Sequence, residues 1–238
     1  MRLSVRPIVA SLAVAALWLA GGCGGQGETP GPEAPAAAIG GPGAENGSSE
    51  ADPSTNPTDS PRRTDYDPDH PTVVIATSLG DMTVRLDAQN APLTVANFLT
   101  YVGNGHYDGT IFHQVVKQYP KLIIGGAYTE DLTEKPTLTS VRNEAHNGLK
   151  NRRGTIAMAR SRDWIDSATC HFFINVTDNE VLDHKDRTLE GYGYCVFGEV
   201  TEGMDVADRI AALEVHDTAQ FEQIPVEPVV IRTIRVVR

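Results

Sequence analysis

Cysteine is scarce: there are three in 238 residues, at positions 23, 170 and 195, with no CxxC pair. A disulfide-dense scaffold and the common zinc motifs are therefore excluded. The seven histidines are scattered, with no HxxxH and no Cys/His ligand pattern, so no metal site is expected. No nucleophile elbow is present. Gly125-Gly126 is not followed by GK[ST], so a nucleotide loop is unsupported and no cofactor is expected. Positive charge is also short, with 20 Lys and Arg against 31 Asp and Glu and a net charge of −11. A general nucleic-acid binder would carry a basic footprint instead, and a polybasic membrane-surface protein is excluded on the same ground. No apolar run reaches the roughly 20 residues of a membrane-spanning helix, and there is no solenoid-type repeat.

What is present falls into three pieces. Residues 1–22 hold two Arg and no acid, residues 24–61 six acids and no base, and residues 62–238 18 bases and 25 acids. Arg2 and Arg6 precede a 13-residue apolar run, Ile8 to Ala20, broken only by Ser11. This matches a secretory signal. The run ends in Leu19-Ala20-Gly21-Gly22-Cys23, which resembles a bacterial lipoprotein signal with Cys23 as the lipidated new N-terminus; an ordinary cleaved signal is the alternative. Acyl chains contribute about 0.8 kcal/mol per buried CH₂, so several anchor where one does not. The expected location is thus the cell envelope, on the extracytoplasmic side. Residues 24–61 contain 8 Gly and 7 Pro, and Ile39 is their single large apolar side chain. Such a segment cannot bury enough surface to offset its ordering entropy. Residues 23–69 are therefore read as an acidic tether; a proline-rich partner-binding segment is the weaker reading, because no repeated PxxP stands out.

The folded part is expected over residues 70–238. Strands are predicted at 72–77, 82–86, 111–117, 155–160, 172–176, 194–200 and 229–237 from β-branched, alternating runs bounded by turn residues. One helix opens at Ala91-Pro92-Leu93, carries Val95, Phe98, Leu99 and Val102 at helical spacing, and ends at Gly103; a second runs from Met204 to Leu213. Short strands with two distant helices and no βα alternation predict a mainly β fold, an antiparallel sheet closed as a barrel. Cys170 and Cys195 either pair or remain small buried thiols.

Several blocks occur in order: Asn97-Phe98-Leu99, Gly109 to His113, Asn143 to Asn151, Arg153 to Arg160, Ser167-Ala168-Thr169 with Phe172 to Asn175, Gly193 to Val200, and Gly203-Met204-Asp205. The set resembles the cyclophilins, a family of peptidyl-prolyl isomerases, in their bacterial style, over residues 72–238. The resemblance implies an eight-stranded antiparallel barrel capped by two helices. It implies rotation about X–Pro amides, a barrier of about 18–20 kcal/mol, in proline-containing segments of exported proteins, with no metal or nucleophile. By position it implies Phe173, Leu182 and Tyr194 in the proline pocket, with Val116, Tyr119, Leu122 and Val181 around it. Ala159 and Arg160 match the strand that pairs with peptide. His171 stands where a Gln precedes the Phe-Phe pair. The family's catalytic Arg and its neighbouring Gln are replaced by Gln114 and Ile124, and the stretch between is two residues longer than in typical bacterial members. The resemblance thus leaves a slow isomerase and a non-catalytic proline-binding module both open. A monomer is the default, with no nucleic acid as partner.

Overall fold

The computed structural model describes residues 67–237. The expected signal, Cys23 and the tether up to residue 66 lie outside the described residues. In chain order the elements are β1 (Thr72–Thr77), β2 (Gly80–Leu86), α1 (Pro92–Gly103), β3 (Thr110–Val116), β4 (Leu122–Thr129), β5 (Thr155–Met158), β6 (Phe172–Asn175), β7 (Val196–Glu202), α2 (Met204–Ala212), β8 (Val215–His216), β9 (Ile224–Pro225) and β10 (Val230–Val236). Eight strands close into an antiparallel barrel in the order β1-β10-β3-β4-β6-β5-β7-β2, while β8 and β9 form a separate two-stranded ribbon. Closure leaves no unpaired sheet edge. The seven expected strands and both helices are present, with ends shifted by one or two residues. The strands not anticipated are β4 in the barrel and the short β8 and β9 of the ribbon.

The barrel is filled from within by large side chains. Phe98 of α1 stacks on Tyr107, Phe172 and Phe197 with ring centroids 5.2, 5.8 and 5.2 Å apart. Tilted and edge-on aromatic contacts of this kind add to the area they bury. Two glycines of β4 make room for them. A Cβ on Gly126, whose φ is +95°, would lie 2.8 Å from the Tyr107 ring and 2.9 Å from Phe172; a Cβ on Gly125 would lie 3.0 Å from Phe112. Cys170 and Cys195 are buried and unpaired, and burial pushes both thiols up to about 12.

The N-terminus of α1 has no side-chain cap of its own: Ala91 stands at the N-cap and Pro92 follows. The open N–H groups are satisfied from a distant part of the chain. Glu144 accepts from the Thr94 amide at 2.8 Å, from the Thr94 hydroxyl at 2.7 Å and from the Leu93 amide at 3.2 Å. A carboxylate here also meets the positive end of the helix dipole. Glu144→Ala is expected to lower the unfolding free energy by about 2 kcal/mol, the scale of a charge-assisted bond removed from a buried donor, as read by urea unfolding. An unchanged midpoint would show that water replaces the carboxylate without cost.

Candidate active site

Side chains alternate across a strand, so every second residue of a barrel wall points outward. In most of the wall those residues meet water. In β4, β5 and β6 they are apolar too. Leu122, Ile124, Ala157, Ala159 and Phe173 join Val116, Leu182 and Val196 in a cluster on the outer face, distinct from the barrel core. The register aligns them: Ile124 lies opposite Phe173, and Phe173 opposite Ala157. Over this floor opens a shallow cleft lined by Leu122, Ile124, Ala159, Arg160, Phe173, Leu182 and Tyr194. A larger groove of about 860 Å³ lies over β2, β5 and β7, but charged and polar groups such as Arg85, Asp87, Arg152 and Glu199 dominate its lining. By its lining the cleft, and not the groove, suits an apolar ring.

The cleft's walls are held by polar groups beneath them. Arg160 is the one charged residue in its lining. Its Nε donates to the Gly193 carbonyl at 3.0 Å, Nη1 to Ser161 at 2.9 Å and Nη2 to Leu189 at 2.8 Å. The guanidinium carbon lies 5.2 Å from the centre of the Tyr194 ring, within cation–π range. Tyr194 in turn meets Phe173 edge-on at 5.7 Å, and its amide donates to the Leu182 carbonyl at 3.0 Å, closing the loop between them. On the other side, Asn179 donates to Asn175 Oδ1 at 2.7 Å and to the Lys121 carbonyl at 2.8 Å. Asn175 donates to Asn151 Oδ1 at 3.2 Å, and the Asn151 amide donates to Asp183 at 2.8 Å. This carboxamide chain ties the start of β4 to the residue after Leu182.

A family model described as "Cyclophilin type peptidyl-prolyl cis-trans isomerase/CLD" matches residues 72–236, more than half of the chain. The chain belongs to the cyclophilin family. Over 165 residues it is 48% identical to a peptidyl-prolyl cis-trans isomerase of Streptomyces antibioticus, covering 69% of this chain and 98% of that relative. Over 164 residues it is 43% identical to peptidyl-prolyl cis-trans isomerase B of Escherichia coli (strain K12), with 69% and 98% covered. These relatives consist of little beyond the matched region, which marks it as a folding unit by itself. Among solved structures, a Cryptosporidium parvum cyclophilin type isomerase crystallised in the presence of the dipeptide Ala-Pro aligns with TM-score 0.59, covering 70% of this chain and 99% of that one at 24% identity. That likeness supports the fold alone.

The cyclophilin barrel brings most of the expected site residues together. Val116, Leu122, Ile124, Ala159, Phe173 and Leu182 share the outer cluster, and Tyr194 packs against it. Gln114 lies opposite Ile124 across β3 and β4. It is two residues before Val116, hence on the same face, and buried. Three residues lie elsewhere. Tyr119, expected in the pocket, stands exposed at the rim, where its hydroxyl accepts from the Val181 amide at 3.4 Å. The physical reason lies in the β3–β4 connection: Asn179 grips both backbone groups of Lys121, so Leu122 occupies the cleft and Tyr119 is left outside. Val181 is likewise a rim residue. His171 does not line the cleft; its ring packs against His113 and Tyr128 at 5.5 and 5.7 Å. Val196 within the cluster and Leu149 against it were not anticipated; the signal for Val196 was its period-two spacing from Tyr194.

The histidine pair gives this side of the cleft its electrostatics. His171 Nε2 lies 3.7 Å from Glu134, which holds that carboxyl below its usual range. Tyr128 is pushed up to about 12, first by burial and then by Glu134. His113 is buried, its Nδ1 has no partner among the described residues, and burial, reinforced by His171, pushes its pKa well below the ordinary value. The folded state therefore keeps His113 neutral where the unfolded chain takes up a proton. Stability is full above pH about 6.5 and falls as pH drops below it, by up to about 1.4 kcal/mol per unit per proton. His106, also lowered by burial, adds to the same slope. His113→Gln is expected to flatten the decline between pH 6.5 and 5; urea midpoints against pH check it, and an unchanged slope would remove His113 from the account.

Proposed function

We propose that the domain catalyses cis–trans isomerisation of X–Pro bonds, with the proline ring seated on Phe173. The observation that carries this reading is the outward apolar cluster of β4, β5 and β6, an apolar floor beside the Gln114–Ile124 pair. No bond breaks in this reaction. The site must bind the twisted amide better than either planar form. An apolar floor serves this by removing water from the amide, whose resonance is strongest when its carbonyl is hydrated. A donor aimed at the prolyl nitrogen serves it by competing for the lone pair. Gln114 supplies an NH₂ donor at that place. A neutral donor contributes roughly 1–2 kcal/mol less than a guanidinium, a deficit of about five- to thirtyfold in rate. Arg160 does not replace it, because its three nitrogens already donate to backbone carbonyls.

The substrates we assign are proline-containing segments of exported proteins. The charged n-region and 13-residue apolar run before Cys23 support export and a lipid anchor. No helix among the described residues is long and apolar enough to cross a membrane. On this reading a Cys23→Ser chain made in a bacterial host takes up no labelled fatty acid, and equal labelling of both chains would show that the anchor is elsewhere.

Exchange spectroscopy on an Ala-Pro peptide tests the catalytic step with residues 67–238. The wild-type domain is expected to accelerate exchange slowly, and Gln114→Arg with Ile124→Gln to raise the rate about five- to thirtyfold. Phe173→Ala is expected to weaken peptide binding at least tenfold. The replacement of the family's Arg and Gln favours one other reading, a binding module without turnover. Saturable binding with no exchange enhancement, unaltered by the double substitution, would establish that reading instead.

A further inference from the structure

Three asparagines, Asn151, Asn175 and Asn179, are at most 1% exposed, and none of them lines the cleft. Asn179 makes the full set of bonds open to a carboxamide. Its NH₂ donates to the Lys121 carbonyl at 2.8 Å and to Asn175 Oδ1 at 2.7 Å. Its Oδ1 accepts from the Lys121 amide at 3.1 Å and from the Thr177 hydroxyl at 3.0 Å. Its backbone is engaged as well: the carbonyl accepts from the Leu182 amide at 2.9 Å, and the amide donates to the Asn151 carbonyl at 2.7 Å. One residue therefore holds the backbone just before Leu122 and the backbone of Leu182 itself, and both of those side chains line the cleft. The remaining walls are tied to the same relay. The Tyr194 amide donates to the Leu182 carbonyl at 3.0 Å. Asn175, two residues after Phe173 on β6, donates to Asn151 Oδ1 at 3.2 Å and to the Thr155 hydroxyl at 2.9 Å.

Stability alone does not call for such a relay, because apolar groups of the same shape can replace a buried polar pair almost without cost. What a fully satisfied polar network adds is a single arrangement, set by direction as well as distance. The arrangement set here is that of the cleft walls. We propose that Asn179 is a positioning residue for the isomerisation: through Lys121 and Leu182 it fixes the spacing of the Leu122 and Leu182 walls, and with it the match between the cleft and the twisted prolyl amide. Cis and trans proline must both enter the cleft, and the form between them must be held more tightly than either. Slack walls still admit both planar forms and lose the match to the twisted one, and a misplacement of about 1 Å can cost about a hundredfold in rate. The loss falls on kcat, not on KM. The inference rests on the proline-site reading above and adds to it a residue that the substrate never touches.

Exchange spectroscopy over a range of Ala-Pro peptide concentrations separates kcat from KM in residues 67–238. Asn179→Ala is expected to lower kcat about tenfold or more and to leave KM within about threefold. Asn179→Asp keeps the acceptor and, while ionised, lacks both donors. Burial raises a carboxyl pKa and protonation returns one donor, so its kcat relative to wild type is expected to rise as pH falls from about 8 to about 6. The Val176 amide also donates to the Lys121 carbonyl at 3.2 Å, which keeps the start of β4 tied to β6 in these variants. Thr177→Val, which removes one bond to Asn179 Oδ1, is expected to lower kcat about threefold and carries the test should Asn179→Ala not fold. Val73→Ala is the control for lost stability: Val73 is a buried core residue of β1, which stands opposite β6 in the barrel order, and its kcat is expected to stay at the wild-type value. An unchanged kcat in the Asn179 and Thr177 variants, a loss carried by KM, or an equal loss in Val73→Ala overturns the positioning role. A wild-type domain that does not accelerate exchange sinks the proline-site reading and this inference with it; acceleration that the variants match sinks the positioning role alone.

Discussion

Phe172 and Phe173 are neighbours in the chain and face opposite sides of the barrel wall. The first stacks on Phe98, Tyr107 and Phe112 inside, and the second floors the cleft outside. This follows from the two-residue period of a strand, and the rest of the molecule accommodates it. A wall loaded with rings on both faces leaves little room in the strand beside it, and β4 meets the constraint with Gly125 and Gly126. Core and site thus share one sheet. Packing that fixes Phe172 also fixes where Phe173 stands, without any dedicated scaffold for the cleft.

The same economy governs charge. The described cleft has one cationic group, and it is committed to carbonyls of the loops that form the walls. On the proposed reading, what remains to act on an amide is an apolar floor and the carboxamide of Gln114, so that shape and desolvation carry most of the discrimination between planar and twisted proline. Prolyl isomerisation tolerates such a site better than hydrolysis would, since no nucleophile has to be generated and no charged leaving group stabilised.

Much of this was legible in the sequence. The strands around Val73, Val84, Ile156 and Ile231 declare themselves by β-branched alternation, and the two helices by their spacing and by Pro92 and Gly103. β4 was not legible, because Gly125-Gly126 interrupts its apolar run, and only the structure shows the rings of Tyr107, Phe112 and Phe172 occupying the missing side chains' space. The cleft residues on β4, β5 and β6 followed from family position, and the register confirms that they meet. Tyr119 did not follow, since no pattern in the sequence reveals that Asn179 pins Lys121. Arg160 was expected on the strand that pairs with peptide and here lines the cleft, but its engagement with Gly193 and Leu189 depends on a loop whose path the sequence does not specify. Glu144 lies in one of the family-like blocks, and its role is to cap a helix.

That cap also bears on the order in which the protein can form. Donor and acceptor are fifty residues apart, and the first strand of the barrel pairs with the last. A chain that emerges with its N-terminus leading carries the start of α1 unsatisfied until residue 144 has followed, and cannot seal its barrel until residue 236 has. The apolar face of β2, with Met82, Val84 and Leu86, meanwhile lacks the barrel interior that buries it. A protein assigned to help others through slow steps in folding is therefore itself a late folder, complete only when nearly all of it has arrived.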